Sequence, residues 1–251
     1  MRPSDVIVTP DSFLRYLRNQ LKLSPSEIRL PRRGVIVFGS GDFELFRRAL
    51  RGKRARWSQW QCIGHAGRNR IALERSQIGG PAVATVVEEM AVRGVRDCIT
   101  FGACGSLRAD LPIGSIVLPT FAFPDEGTSR HYGAPRRPRP HRALVDAIRA
   151  ACERHGLRFS KGGVWTTDAP YRESKRKARQ LADRGVIAVE MEASAVYAVA
   201  LYRGMRSASL MVVSDELGGS EWNPGFRSPV FVRAKRRAMR ALSDALSRPW
   251  P

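Results

Sequence analysis

Cysteine, histidine and acidic side chains are all scarce in this 251-residue chain, and each shortage closes off a class of function. The four cysteines, Cys62, Cys98, Cys104 and Cys152, are scattered, with neither a CxxC pair nor metal-ligand spacing. Zinc modules and disulfide scaffolds are thereby excluded. Buried free thiols are the favoured reading, and a Cys98–Cys104 disulfide is an open alternative. No histidine stands near the acids discussed below, so no metal centre is expected. No stretch reaches the roughly 20 apolar residues of a membrane helix. The opening "MRPSDVIVTPDSF" lacks the apolar core of a secretory signal, so the expectation is a cytoplasmic protein without membrane association.

Acids are outnumbered, 23 Asp and Glu against 43 Lys and Arg, for a formal charge of +20. Such an excess invites a nucleic-acid partner, because basic side chains neutralise phosphates. Yet the basic residues are dispersed over "RGKRARW", "APRRPRPHR", "RESKRKAR" and "VRAKRRAMR", without interleaved aromatics or a zinc-finger or RNP-type motif. Solvated arginine-rich faces are preferred over a nucleic-acid footprint. A weaker inference is attraction of anionic substrates such as phosphate.

What is present is a globular composition, 43% hydrophobic and 26% charged. Residues 1–33 read as an N-terminal extension with a short helical pattern, "DSFLRYLRNQL". From 34 to 251 strands alternate with helices. "GVIVFGSGD", "RIALERS", "DCITFGACGSL", "GSIVLPTFAF", "GVIAVEM" and "SASLMVVSDEL" read as strands. The pattern predicts one α/β domain, a parallel or mixed central sheet with helices on both faces. In such sheets ligands bind at the carboxyl ends of strands. Four of those ends are Gly-rich or polar: "FGSGD" at 38–42, "FGACGS" at 101–106, "VEMEAS" at 189–194 and "VVSDEL" at 212–217. The last two strands, joined by one helix, are expected to form a right-handed βαβ unit, with Glu190, Glu192 and Asp215 on one edge. Glycines at the other two ends free backbone N–H groups for an anion. Glu190 has a second reading, as a structural partner of an arginine.

These motifs resemble the nucleoside phosphorylase I family, which includes hexameric bacterial purine nucleoside phosphorylases, uridine phosphorylases and related nucleosidases. The resemblance runs from about Gly34 to Leu246. It is carried by "VIVFGSGD", "SQIGGPAVATVVEEMAVRGV", "FGACGSL", "IGSIVLP", "DEGTSRHY", "WTTDAPY", "VEMEASAVYAVA" and "VVSDEL". It implies a mixed sheet flanked by helices and cleavage of a purine nucleoside by phosphate, giving base and ribose 1-phosphate. By resemblance Glu192 grips the ribose hydroxyls, Met191 packs on the sugar and Glu190 is the neighbouring acid of the motif. Tyr171 lines the base pocket with Ser214, and Asp215 protonates the leaving purine with help from Arg227. The backbone around Gly39, Gly102 and Ala103 faces phosphate. No metal or organic cofactor is implied, phosphate being a co-substrate, and a homo-oligomer, a dimer-based hexamer, is expected.

Three departures touch the phosphate. Phe43 and Thr100 stand where family phosphorylases place arginines, and Ala103 where they place a hydroxyl. Arg54, Arg56, Arg75, Arg108 and Arg130 are candidate replacements. A nucleosidase using water, a uridine phosphorylase and a basic nucleic-acid-binding protein on this fold therefore stay as alternatives.

Overall fold

The computed structural model describes residues 6–219 and 221–250. In chain order it holds α1 (Pro10–Leu21), α2 (Pro25–Ile28), β1 (Arg33–Val37), α3 (Ser40–Ala49), β2 (Lys53–Ala55) and β3 (Ser58–Ala66). Next come β4 (Asn69–Arg75), α4 (Gly80–Val92), β5 (Asp97–Ser106), β6 (Ile116–Asp125), α5 (Arg142–Arg154) and β7 (Phe159–Thr167). The chain ends with α6 (Lys175–Ala182), β8 (Val186–Glu190), α7 (Ala193–Tyr202), β9 (Arg206–Glu216), β10 (Asn223–Pro224) and α8 (Pro229–Ser247).

The strands form one mixed sheet in the order β10-β9-β6-β7-β8-β5-β1-β4-β3-β2, and β9 also pairs with β5. That extra pairing closes β5, β9, β6, β7 and β8 into a ring, from which β1, β4, β3 and β2 extend as an open wing. Alternation along β1 serves two cores: Val35 and Val37 pack with α3, α5 and α8, while Ile36 packs with α4 and α7. Helix α7 is buried from Ala193 to Ala200, which explains why "ASAVYAVA" carries no polar face. The four cysteines are free and buried. No described helix is long and apolar enough to cross a membrane.

The expected βαβ unit of β8, α7 and β9 is not formed. The two strands are not neighbours: Val189 of β8 pairs antiparallel with Gly105, and Asp215 of β9 pairs with the same glycine within a parallel ladder. The register between β5 and β9 shifts at Cys104/Gly105, and that irregularity turns the end of β5 so that both flanks are occupied. Carboxyl ends therefore still converge, through β5 rather than through a crossover.

Gly105 is the close approach that permits this. A Cβ there would stand 2.4 Å from Leu217 Cδ1, 3.1 Å from Asp215 Oδ2 and 3.2 Å from Val189 Cγ1. Gly105→Ala is expected to destabilise the protein by about 1–3 kcal/mol through overpacking. A denaturant midpoint equal to that of the unaltered protein would show that the three strand ends are not so tightly joined.

Candidate functional site

Buried carboxylates need donors, and the end of β8 supplies them from helix termini. Glu190 Oε2 accepts from the backbone N–H groups of Glu192 (2.8 Å) and Ala193 (2.7 Å), at the start of α7. Its Oε1 accepts from Thr166 Oγ1 at 2.5 Å. Glu190 is thus partnered by Thr166 and a helix N-terminus, not by the arginine considered above. Glu192 Oε1 accepts from Gly79 N–H at 2.7 Å, the N-cap of α4. Burial raises the pKa of both groups above the ordinary carboxylate range, and for Glu192 the neighbouring Glu190 adds to the rise.

Across the cleft, Asp215 Oδ1 accepts from Ser214 Oγ at 2.6 Å and Oδ2 from Trp222 Nε1 at 2.9 Å. Ser214 is buried, with its hydroxyl also 3.2 Å from the Cys104 carbonyl, and it lines the cleft beside the Asp215 carboxyl that it orients. Antiparallel pairing of β10 with β9, Pro224 opposite Asp215, fixes the segment that carries Trp222. Glu173, two residues beyond Tyr171, lines the same cleft. Its pKa is pushed up to about 7 by burial and by the charge of Asp215. The sequence reading passed over Trp222 and Glu173. An acid two residues after Tyr171 was the available signal for Glu173, whereas nothing local marks Trp222.

These groups enclose a cleft of about 560 Å³ whose walls include Phe38, Ala103, Tyr171, Met191, Trp222 and Phe226. Tyr171 is fully exposed at its mouth. Four carboxyl groups line the cleft, Glu173, Glu190, Glu192 and Asp215, and no Lys, Arg or His does so among the described residues. Arg227 is exposed outside it. Gly102 lies buried under the Phe38 ring, and Gly39 is the N-cap of α3, next to the wall residue Phe38. Beside Gly39, Asp42 is buried and paired with Lys235 Nζ at 2.5 Å.

Two of the three departures from the resemblance are packed into the core, while the third, Ala103, lines the cleft. Phe43 is fully buried edge-on against Trp60, and Thr100 donates to Ser209 Oγ at 2.7 Å. The candidate replacement arginines are engaged elsewhere. Arg54 pairs with Glu44, Arg56 with Glu27 and Arg108 with Asp110, while Arg75 stacks on Trp60. Arg130 lines a separate cavity of about 880 Å³ between α4 and the 127–133 loop.

The model of the phosphorylase superfamily matches residues 32–247. A guanosine phosphorylase of Halorubrum lacusprofundi is 32% identical over 173 residues, 68% of this chain and 71% of that protein. A DeoD-type purine nucleoside phosphorylase of Bacillus cereus is 31% identical over 151 residues, 59% of this chain and 64% of that protein. Among solved structures, a purine nucleoside phosphorylase from Toxoplasma gondii in complex with immucillin-H superposes with a TM-score of 0.79 at 16% identity. The superposition covers 98% of this chain and 97% of that one. A uridine phosphorylase from Vibrio fischeri gives 0.77 at 18%, covering 88% and 93%. At those identities the two structures establish a shared fold.

A raised carboxyl pKa has a definite signature in stability. The folded state keeps protons that the unfolded chain has released, so this stabilisation is full below the unfolded pKa and is lost as pH rises through the folded one. Glu192→Gln cannot ionise. Calorimetry should find its Tm gaining on that of the unaltered protein between pH 5 and pH 9. A Tm difference independent of pH would remove Glu192 from this balance.

Proposed function

Because the chain belongs to the phosphorylase superfamily, we propose that it cleaves the N-glycosidic bond of purine nucleosides with phosphate, giving free base and ribose 1-phosphate. The observation that carries the reading is the double pairing of Gly105, which sets Glu192 and Asp215 in one cleft. The names of the similar guanosine and purine nucleoside phosphorylases support it.

Departure of the base leaves positive charge on the ribose. A carboxylate on the ribose hydroxyls binds more strongly as that charge grows, which accelerates the step instead of merely holding substrate. Glu192 has this role, its orientation fixed by Gly79, with Met191 against the sugar. Glu190 serves by holding the start of α7, and with it the backbone of Glu192. The leaving purine takes a proton at N7 from Asp215, aligned by Ser214. Tyr171, Trp222 and Phe226 supply flat apolar walls for the base. Arg227 assists the proton transfer only if its segment moves inward.

Phosphate approaches the opposite face of the sugar, near Ala103 and the α3 N-terminus at Gly39, where no side chain caps the helix. Gly102 underlies this floor. Among the described residues no basic side chain lines the cleft, so in this reading countercharge comes from a second copy, in a dimer-based hexamer. The reaction uses no metal or organic cofactor, and the compartment is the cytoplasm. Hydrolysis is the second reading, favoured by one observation: Phe43 and Thr100 are committed to the core and leave the cleft acidic.

Purified protein given inosine, guanosine, adenosine, methylthioadenosine and uridine should release purine base only when phosphate is added. Equal release without phosphate would replace phosphorolysis by hydrolysis, and release from uridine alone would overturn the purine preference. Asp215→Asn should lower turnover by about 10²–10⁴-fold, the range for a general acid, while nucleoside still binds. Unchanged turnover would take Asp215 out of the mechanism.

A further inference from the structure

Helix α8 gathers what the sequence disperses. In "VRAKRRAMR", Arg233, Arg236, Arg237 and Arg240 follow i, i+3, i+4 and i+7 spacing, so they share one face. All four are exposed, while Phe231, Ala238, Ala241, Leu242 and Ala245 bury the opposite face. None has a carboxylate partner among the described residues; Arg237 reaches only the Gly156 carbonyl, at 3.5 Å. The other cation of α8, Lys235, is committed to Asp42, and Arg248, just past the helix end, to Asp244.

The adjacent α5 is an internal contrast. Its Arg142 and Arg149 pair with Asp146, Arg149 also with Glu153, and Arg154 with Asp244. An ordinary solvated helix mixes signs in this way. Along α8 the arginines at i+3 and i+4 spacing repel one another, with no carboxylate among the described residues to offset them. Beside the row runs a groove of about 560 Å³ between α8 and the α5–β7 turn, with Arg158 and Arg237 on its walls. Its one acid, Asp110, is already held by Arg108.

We propose that the arginine row of α8 and this groove form a docking surface for the sugar–phosphate backbone of single-stranded nucleic acid, separate from the nucleoside cleft. The row spans about 10 Å of helix, which suits successive phosphates better than one small anion. No aromatic stands in the row, so binding is through the backbone and independent of sequence. A lipid surface is the poorer match, because the apolar face of α8 is buried in the core and, among its described residues, only Val230 and Val232 are large exposed apolar side chains, too few for an inserting face.

The test is fluorescence anisotropy with a labelled single-stranded oligonucleotide of about 20 residues between about 50 and 200 mM salt. Four phosphate contacts predict a log–log salt slope of about −3. The triple variant Arg233→Gln/Arg236→Gln/Arg240→Gln should flatten the slope by about 2 and weaken binding more than tenfold. Arg68→Gln/Arg136→Gln/Arg139→Gln removes the same charge from exposed loops and should leave both nearly unchanged. Nucleoside cleavage should be unaffected in either. Equal losses in the two triple variants would overturn the proposal in favour of diffuse attraction by the net charge. So would an absence of oligonucleotide binding, or equal α8-dependent binding to vesicles of anionic phospholipid.

Discussion

Two helices begin where two carboxylates are buried, and the geometry of the cleft depends on that meeting. Glu190 takes the first N–H groups of α7 and the Thr166 hydroxyl, while Glu192 takes the N-cap N–H of α4. Each carboxylate satisfies donors that a helix start would otherwise leave unpaired, and each helix N-terminus provides the partial positive charge that a buried anion needs. "VEMEAS" is therefore a junction of two helix starts as well as a wall of the cleft. One acid fixes the backbone from which the other projects.

The second constraint is the crowded end of β5. Gly105 is paired on both sides, so the ring of five strands closes at the point where Val189 and Asp215 meet. Closure brings two chemically distinct acids into one cleft without making their strands neighbours. It also gathers titratable acids: four carboxyl groups line the walls, in a chain whose net charge is +20. An anionic co-substrate can enter such a cleft only with help from helix N-termini and from cations beyond its walls.

Legibility in the sequence followed the strength of local patterns. The buried strands β1, β5, β8 and β9 and the amphipathic helices α5 and α8 were readable, because continuous apolar runs and 3.6-residue periodicity survive any tertiary context. Strands β3 and β7 were missed. "SQWQCIGHA" is half polar, and "FSKGGVWTT" carries a glycine pair that weakens any strand signal. Only the fold shows why the pair is there: a Cβ at Gly163 would fall 2.3 Å from the Phe121 ring. Among site residues, Glu190, Met191, Glu192, Tyr171, Ala103, Ser214 and Asp215 line one cleft, Glu190 and Ser214 also bracing its walls, whereas Arg227 stands outside.

By itself, the sequence determined the class of fold and the identity of the strand ends that carry polar chemistry. Both depend on neighbours a few residues away, where periodicity and turn composition act. Only the tertiary structure decided which of those groups face one another. It paired Gly105 with both Val189 and Asp215, delivered Trp222 to Asp215 through β10, and withdrew Phe43 and Thr100 into the core. It likewise turned a dispersed basic composition into one uncompensated arginine face on α8 and a paired one on α5. Distances between residues remote in sequence are set by packing and register, and neither is encoded in a local stretch of chain.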